Sequence, residues 1–249
     1  MKTIAMIPAR FAATRFPGKL MKMLGNKTVI RHTYENTVET HLFDEVIVVT
    51  DSEIIFNEIT HNGGYALMSK MVHESGSDRI AEAVADLEVD IVLNVQGDEP
   101  FVTRGPLEKL LHVFEDDLHG TVKVASIMTQ ITELERINDP NCVKVAVDLN
   151  FNSLFFSRSP IPYCRNLDSH TVYYEHVGVY AFRKEALLMF THWPASPLER
   201  VEKIECLRYL ENGIPLKMVI SEYSAGKIDT PQDLERALQI LSSSPYSGL

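Results

Sequence analysis

The chain has 249 residues, 45% of them hydrophobic and 23% charged, a composition that excludes a disordered or fibrous protein. Its 34 acidic residues outweigh 24 basic ones for a formal charge of -10, and no basic patch is interleaved with aromatics, which excludes general attachment to a nucleic-acid backbone. A chain of this size buries roughly 70–75% of its unfolded surface, enough for one α/β domain with an insertion or for two tightly joined lobes.

Thr3 to Ala9 is a short apolar run that reads as a buried first strand, and RFAATRFPGK after it reads as a loop. Thr28 to His41 carries Val29, Ile30, Tyr34 and Val38 at helical spacing, and DEVIVVT at Asp44 to Thr50 is a parallel-strand signature, so the first fifty residues form a βαβ unit. A helix near Ser52–Asn62, a turn at Gly63-Gly64, a strand at Tyr65–Met68 and a helix from Asp78 to Leu87 continue the alternation. Asp90 to Gln96 is another buried strand that breaks at Gly97. Polar residues just past Ala9 and Gln96 then stand at the carboxyl ends of parallel strands, where open α/β sheets bind ligands.

From about Thr121 the pattern changes to strand after strand: Val122–Met128, Cys142–Asp148, Ser153–Phe156 and Glu175–Phe182, a mixed or antiparallel extension. Leu198 to Leu210 is expected as one helix, with Leu198, Val201, Ile204, Leu207 and Leu210 along a face that serves as core or as a partner surface. Leu216–Ser221 reads as a late strand, and Pro231–Leu241 as a terminal helix with proline in its first turn. Cys142, Cys164 and Cys206 lack CxxC spacing, which suggests reduced thiols rather than a zinc site or a disulfide framework. The opening MKTIAMIPA reaches Arg10 too soon for a signal-peptide core, and no run of 18 apolar residues occurs, so no membrane span and a cytoplasmic location are expected.

Three groups of residues can carry chemistry. Arg10, Arg15 and Lys19 lie within ten residues, and two guanidinium forks with one mobile ammonium can wrap a triphosphate; a solvated loop is the alternative. Asp98 and Asp229 offer hard oxygens for magnesium, although a turn residue and a helix cap explain them equally well. Ser75 and Arg79 sit at the start of a helix, where they either contact a nucleotide or cap the helix. In the second half, Arg158, Arg165, His176 and Tyr180 are polar residues near strand ends, and arginine there can clamp a carboxylate. GxxxxGK[ST], GxGxxG and HExxH are all absent.

Taken together, IPARFAATRFPGK, VVTD, ESGSDR, NVQGDEP, FSRSPIP, EHVGVYAF, SPLERVEKIECLRYLENG and KIDTPQDLERA resemble, in this order, the 3-deoxy-manno-octulosonate cytidylyltransferases, or CMP-KDO synthetases. The resemblance runs from about residue 3 to 241. It implies a nucleotide-diphospho-sugar transferase-like α/β fold, a mostly parallel sheet flanked by helices, within a single cytidylyltransferase domain. A smaller mixed lobe at approximately 130–215 is implied for sugar binding and dimerisation. It also implies that CMP passes from CTP to the anomeric hydroxyl of the sugar acid, with release of pyrophosphate, for lipopolysaccharide precursor synthesis. Arg10, Arg15 and Lys19 then match the triphosphate loop, Asp98 and Asp229 the magnesium ligands, and Ser75, Arg79 and Gln96 the surroundings of cytosine and ribose. Arg158, His176, Tyr180 and Glu205 fall in the sugar-acid region, and Glu199 to Tyr209 in a homodimer interface.

Three departures from the common family pattern stand out: Leu20 in place of a proline, the run His73-Glu74-Ser75-Gly76-Ser77, and the altered stretch YCRNLDSHTVYY. The last adjoins the expected sugar site and leaves 8-amino-3,8-dideoxy-manno-octulosonate open as an alternative substrate. A non-catalytic nucleotide-binding regulator is the alternative from another class.

Overall fold

Thr3–Ala9 forms β1, and every residue of it except Pro8 is buried, as suits a strand covered on both faces. The structure, a computed structural model, describes residues 1–12, 16–73, 75–166, 171–222 and 226–243. It divides into two units, Met1–Arg104 with Ser224–Leu249, and Gly105–Tyr223.

In the first unit a small hairpin, β2 (Met23–Leu24) and β3 (Lys27–Thr28), leads into α1 (Val29–Glu39), β4 (Glu45–Thr50), α2 (Glu53–His61), β5 (Ala66–Met68), α3 (Gly76–Val84) and β6 (Ile91–Asn94). β1 pairs in parallel with β4 on one side and β6 on the other, and β4 pairs in parallel with β5. Ala9 stands opposite Thr50, and Met6 opposite Asn94. The carboxyl ends of the central strands therefore share one edge, and Arg10, Asp51 and Gln96 follow them there. Thr28 caps α1 by accepting a hydrogen bond from Arg31 N, and Ser75 caps α3 by accepting one from Asp78 N.

The second unit opens on α4 (Arg104–Glu115), whose Leu107, Leu110, Leu111 and Phe114 form one buried stripe. That spacing marks a helix in the sequence, although none is expected over this stretch. β7 (Val124–Ile131), α5 (Leu134–Asn138), β8 (Lys144–Val147), β9 (Ser153–Ser157), β10 (Tyr173–Arg183), α6 (Lys184–His192), α7 (Pro197–Glu202), α8 (Leu207–Glu211) and β11 (Leu216–Ile220) follow. β7 is flanked by β11 in parallel and β10 antiparallel, while β8 pairs antiparallel with both β10 and β9, so this unit is mixed. This unit spans Gly105–Tyr223. The chain then returns to the first unit and ends its described part with α9 (Pro231–Ser243).

The single helix expected over Leu198–Leu210 is two helices. Lys203 adopts φ 56 and ψ 44, a left-handed conformation that ends α7. The break divides the apolar face: Ile204, Cys206 and Leu207 are buried, whereas Val201 stays 81% exposed. Glu202 helps to hold the turn, since its carboxylate accepts from Ser157 Oγ at 2.7 Å and Arg158 N at 2.9 Å.

Candidate active site

The site of the first unit starts with a glycine. A Cβ on Gly97 would lie 3.2 Å from the carbonyl oxygen of Pro8 and 3.1 Å from Ile30 Cδ1, so any larger residue would crowd the point where the chain leaves β6 close to the end of β1. Thr33 Oγ1 donates to the Gly97 carbonyl at 3.0 Å, and Asn36 Nδ2 donates to that of Pro100, which bolts the turn to α1. Asp98, the next residue, is thereby buried.

Lys19 brings the two expected metal ligands together. Its ammonium donates to Asp98 Oδ2 and, at 2.7 Å, to Asp229 Oδ1. The approach of Asp229 is set by its own segment: Ile228 N donates to the Asp98 carbonyl at 2.9 Å. Asp233 accepts from Asp229 N, Thr230 N and Thr230 Oγ1, and its own N–H donates back to Thr230 Oγ1 as a cap on α9.

Two carboxylates thus share one ammonium, and Asp98 Oδ1 is buried without a hydrogen-bond partner. A buried anionic oxygen left unpaired is costly, so this atom calls for a further cation or donor. Among the described residues no group of three or more His, Cys, Asp or Glu converges. A pair of hard oxygen ligands fits magnesium, which takes one or two protein carboxylates and completes its shell with phosphates and water.

The residues expected around the nucleotide lie on the same unit in different states. Arg10 is exposed directly after β1. Arg15 lies outside the described residues. Ser75 Oγ donates to Asp78 Oδ2 at 2.8 Å while accepting from Asp78 N, so it acts as a helix cap. Gln96 Nε2 donates to Asn94 Oδ1 at 3.3 Å. The Arg79 guanidinium is buried and donates to Asp51 Oδ2 at 2.8 Å and Ser69 Oγ at 2.7 Å, which ties α3 to the ends of β4 and β5. Asp51 is the residue the sequence reading missed, and its signal was present as the carboxylate closing VVTD. Glu82 pairs with His73 and accepts from Lys70 N at 2.8 Å, which holds the chain before α3. Burial works to raise the Glu82 carboxyl, but the hydrogen bonds from His73 and Lys70 outweigh it and keep its pKa below the usual value.

The residues expected around the sugar acid all belong to the second unit. His176 and Tyr180 meet edge to face at 5.3 Å between ring centroids, with Phe156 against His176 at 4.8 Å. His176 Nε2 lies 3.0 Å from Ser126 Oγ, and desolvation of the imidazole lowers its pKa to about 3. Burial, and then the neighbouring Cys206 and Glu205, push the Tyr180 hydroxyl well above its ordinary value. His176, Tyr180 and Glu205 therefore form one neighbourhood.

Arg158 is committed elsewhere. It donates to the carbonyls of Glu202 and Pro140, each at 2.7 Å. Lys144 beside it is fully buried, and its ammonium is held by the carbonyls of Asp139, Cys142 and Arg158 at 2.9, 2.6 and 2.5 Å.

A parallel α/β sheet with paired aspartates and a basic loop at its carboxyl edge defines a nucleotidyltransferase-type protein. The family model described as Cytidylyltransferase matches residues 4–220. The 3-deoxy-manno-octulosonate cytidylyltransferase of Flavobacterium johnsoniae is 58% identical over 97% of this chain and 99% of its own. The protein of that name from Christiangramia forsetii is 53% identical over 97% of each chain. A solved CMP:2-keto-3-deoxy-manno-octonic acid synthetase complexed with CTP aligns with a TM-score of 0.92 at 35% identity, covering 97% of this chain and 99% of that one. The 4-diphosphocytidyl-2C-methyl-D-erythritol synthase of Anaerococcus prevotii, at a TM-score of 0.65 and 20% identity, shares the fold. The chain belongs to the 3-deoxy-manno-octulosonate cytidylyltransferase family.

Proposed function

We propose that this chain transfers CMP from CTP to the anomeric hydroxyl of 3-deoxy-manno-octulosonate and releases pyrophosphate, supplying an activated sugar acid for lipopolysaccharide precursors. The observation that carries this reading is the cluster of Lys19, Asp98 and Asp229, in which one cation draws together two carboxylates beside the basic loop. The relatives' shared name and the CTP-bound neighbour supply the substrates.

The hydroxyl oxygen attacks the α-phosphorus, the bond from that phosphorus to the bridging oxygen breaks, and the electron pair leaves with pyrophosphate. The hydroxyl proton passes to water or to a phosphate oxygen. Arg10 and Lys19, with Arg15, are suited to neutralise charge growing on the leaving group, since each places a cation on the loop after β1. Asp98 and Asp229 would hold magnesium, which when bound supplies positive charge to the phosphates and lowers the pKa of the attacking hydroxyl. Ser75, Arg79 and Gln96 take the cytosine and ribose side. Here Arg79 acts by fixing α3 through Asp51, and its guanidinium is already engaged. His176, Tyr180 and Glu205 take the sugar acid, and Arg158 shapes that region through its backbone contacts.

A homodimer is part of the proposal. Within the expected interface of Glu199–Tyr209, Leu207 and Tyr209 are buried in their own unit, so the apolar surface there is on α7, where Val201 is 81% exposed beside Leu198 at 39%. The cytoplasm suits a CTP-consuming chain whose three cysteines form no disulfide, and no described helix is long and apolar enough to cross a membrane.

The reading is tested with chelator-stripped protein, CTP and 3-deoxy-manno-octulosonate, followed by phosphorus NMR. A CMP-linked sugar that forms only after magnesium is restored is expected. Absence of that product with magnesium present refutes the reaction, and equal formation without a divalent ion refutes the metal assignment.

A further inference from the structure

Asp229 is carried by a segment whose path is set by one aromatic ring. Phe101 packs against Gly226 so closely that a Cβ on Gly226 would lie 3.0 Å from Phe101 Cε2, 3.4 Å from Cγ and closer still to Cδ2. No side-chain carbon tolerates such an approach, so either the ring or the segment must move when a methyl group is added. The turn that bears Phe101 is anchored to α1 by Thr33 on the Gly97 carbonyl and Asn36 on the Pro100 carbonyl. Just past it, Arg104 Nη1 donates to the Thr40 carbonyl at 2.7 Å. The segment bearing Gly226 meets that turn through Ile228 N on the Asp98 carbonyl, and Ile228 is fully buried. Phe101 is half-buried and its ring can turn, so the part of the displacement that the ring does not absorb passes along residues 226–229, which end on the carboxylate that Lys19 holds at 2.7 Å.

We infer that Phe101 and Gly226 form a positioning latch that sets the height of Asp229 over Asp98 and so makes the two carboxylates converge on one cation. The inference rests on the reading of Asp98 and Asp229 as a metal-holding pair. Neither latch residue touches the reacting atoms in this account. Both act through Asp229, and the glycine is required because the ring leaves no volume for a side chain.

The test uses the full chain in three variants: Gly226→Ala, Phe101→Ala, and the two combined. Manganese binding in the presence of CTP is followed by electron paramagnetic resonance, with manganese as the probe for magnesium. In the metal-free protein, acetylation of Lys19 by acetic anhydride is followed by mass spectrometry, because an ammonium pinned between two carboxylates reacts slowly. Displacing an outer-shell support costs metal affinity about tenfold or more, so Gly226→Ala is expected to weaken manganese binding by that factor and to speed Lys19 acetylation several-fold. The double variant is expected to behave as Phe101→Ala alone does, because the methyl group does harm only where the ring is present.

Wild-type manganese affinity and Lys19 reactivity in Gly226→Ala overturn the latch. So does an effect of the methyl group that persists at full size without the ring. If Gly226→Ala fails to fold, normal folding of the double variant supports the latch and its failure overturns it. If the wild type binds no manganese while Lys19 reactivity follows the expected order, the latch stands and the metal assignment falls.

Discussion

Asp98→Asn separates what holds this site together from what it does. The Asp98 side chain is 11% exposed and its Oδ2 accepts from Lys19, but Lys19 keeps its 2.7 Å contact with Asp229 in the variant. A hydrogen bond to a charged group is worth about 1.5–3 kcal/mol, and asparagine retains an oxygen that can accept from the ammonium. The variant also no longer buries the unpaired charge on Oδ1, which offsets part of the loss. The net cost to folding is therefore about 1 kcal/mol or less. Turnover behaves differently, because one of the two carboxylates facing the cation is gone. Removing a single preorganised electrostatic group costs about 100- to 1000-fold in rate, so the variant should be nearly inactive at saturating CTP and magnesium. Urea titration measures the first effect and pyrophosphate release the second. A variant that turns over at close to the wild-type rate in magnesium refutes the role of Asp98. One that loses activity only because it has unfolded refutes the assignment of stability to the remaining Lys19–Asp229 pair.

Other outcomes follow from the second unit. Lys144→Met strips three carbonyls, the buried one of Cys142 and the part-buried ones of Asp139 and Arg158, of their donor. Each orphaned acceptor costs about 1–3 kcal/mol, while relief from burying an ammonium offsets part of this, so a net loss of about 2–4 kcal/mol in urea is expected. His176 has a folded pKa of about 3 against an ordinary 6.5. Between those values the unfolded chain takes up a proton that the folded chain refuses, so stability contributed by neutral His176 is complete above about pH 6.5 and falls as the pH drops, by about 1.4 kcal/mol per unit. His176→Asn should flatten that part of the urea midpoint against pH, and an unchanged slope counts against the shift. Val201→Asp, at an 81% exposed position, should leave the fold intact and shift the chain toward monomer in light scattering. A dimer of unchanged strength would place the interface elsewhere.

Much of the first unit was legible because its strands are uninterrupted apolar runs. Thr3–Ala9, Glu45–Thr50 and Ile91–Asn94 fall inside the expected segments, since strands buried on both faces carry no competing pattern. Asp98 and Asp229 stood out as candidate magnesium ligands by residue type, with a turn and a helix cap as alternatives, and the family resemblance added weight to the pair. Spacing along the chain says nothing about two loops brought together by Ile228 and Lys19.

The missed features share a physical reason: a side chain's partner is not written beside it. Arg79 reads as a ligand-binding arginine, and its bonds to Asp51 and Ser69 are not written in its neighbourhood of the sequence. Arg158 reads as a carboxylate clamp, and its bonds to the carbonyls of Glu202 and Pro140 are likewise invisible in the sequence. Lys144 sits in a strand where a lysine suggests solvent, and it is fully buried because three carbonyls converge on it. The break at Lys203 was hidden for another reason. The apolar spacing from Leu198 to Leu210 fits one helix, and only the left-handed backbone at Lys203 divides it.

The most direct test of the account is pyrophosphate release from CTP and magnesium with 3-deoxy-manno-octulosonate, its 8-amino analogue and sialic acid offered separately. Release with 3-deoxy-manno-octulosonate well above that with the other two is the predicted result. Preference for the 8-amino sugar would contradict the substrate assignment, and no release with any of the three, from protein that still binds CTP, would contradict the transferase reading itself.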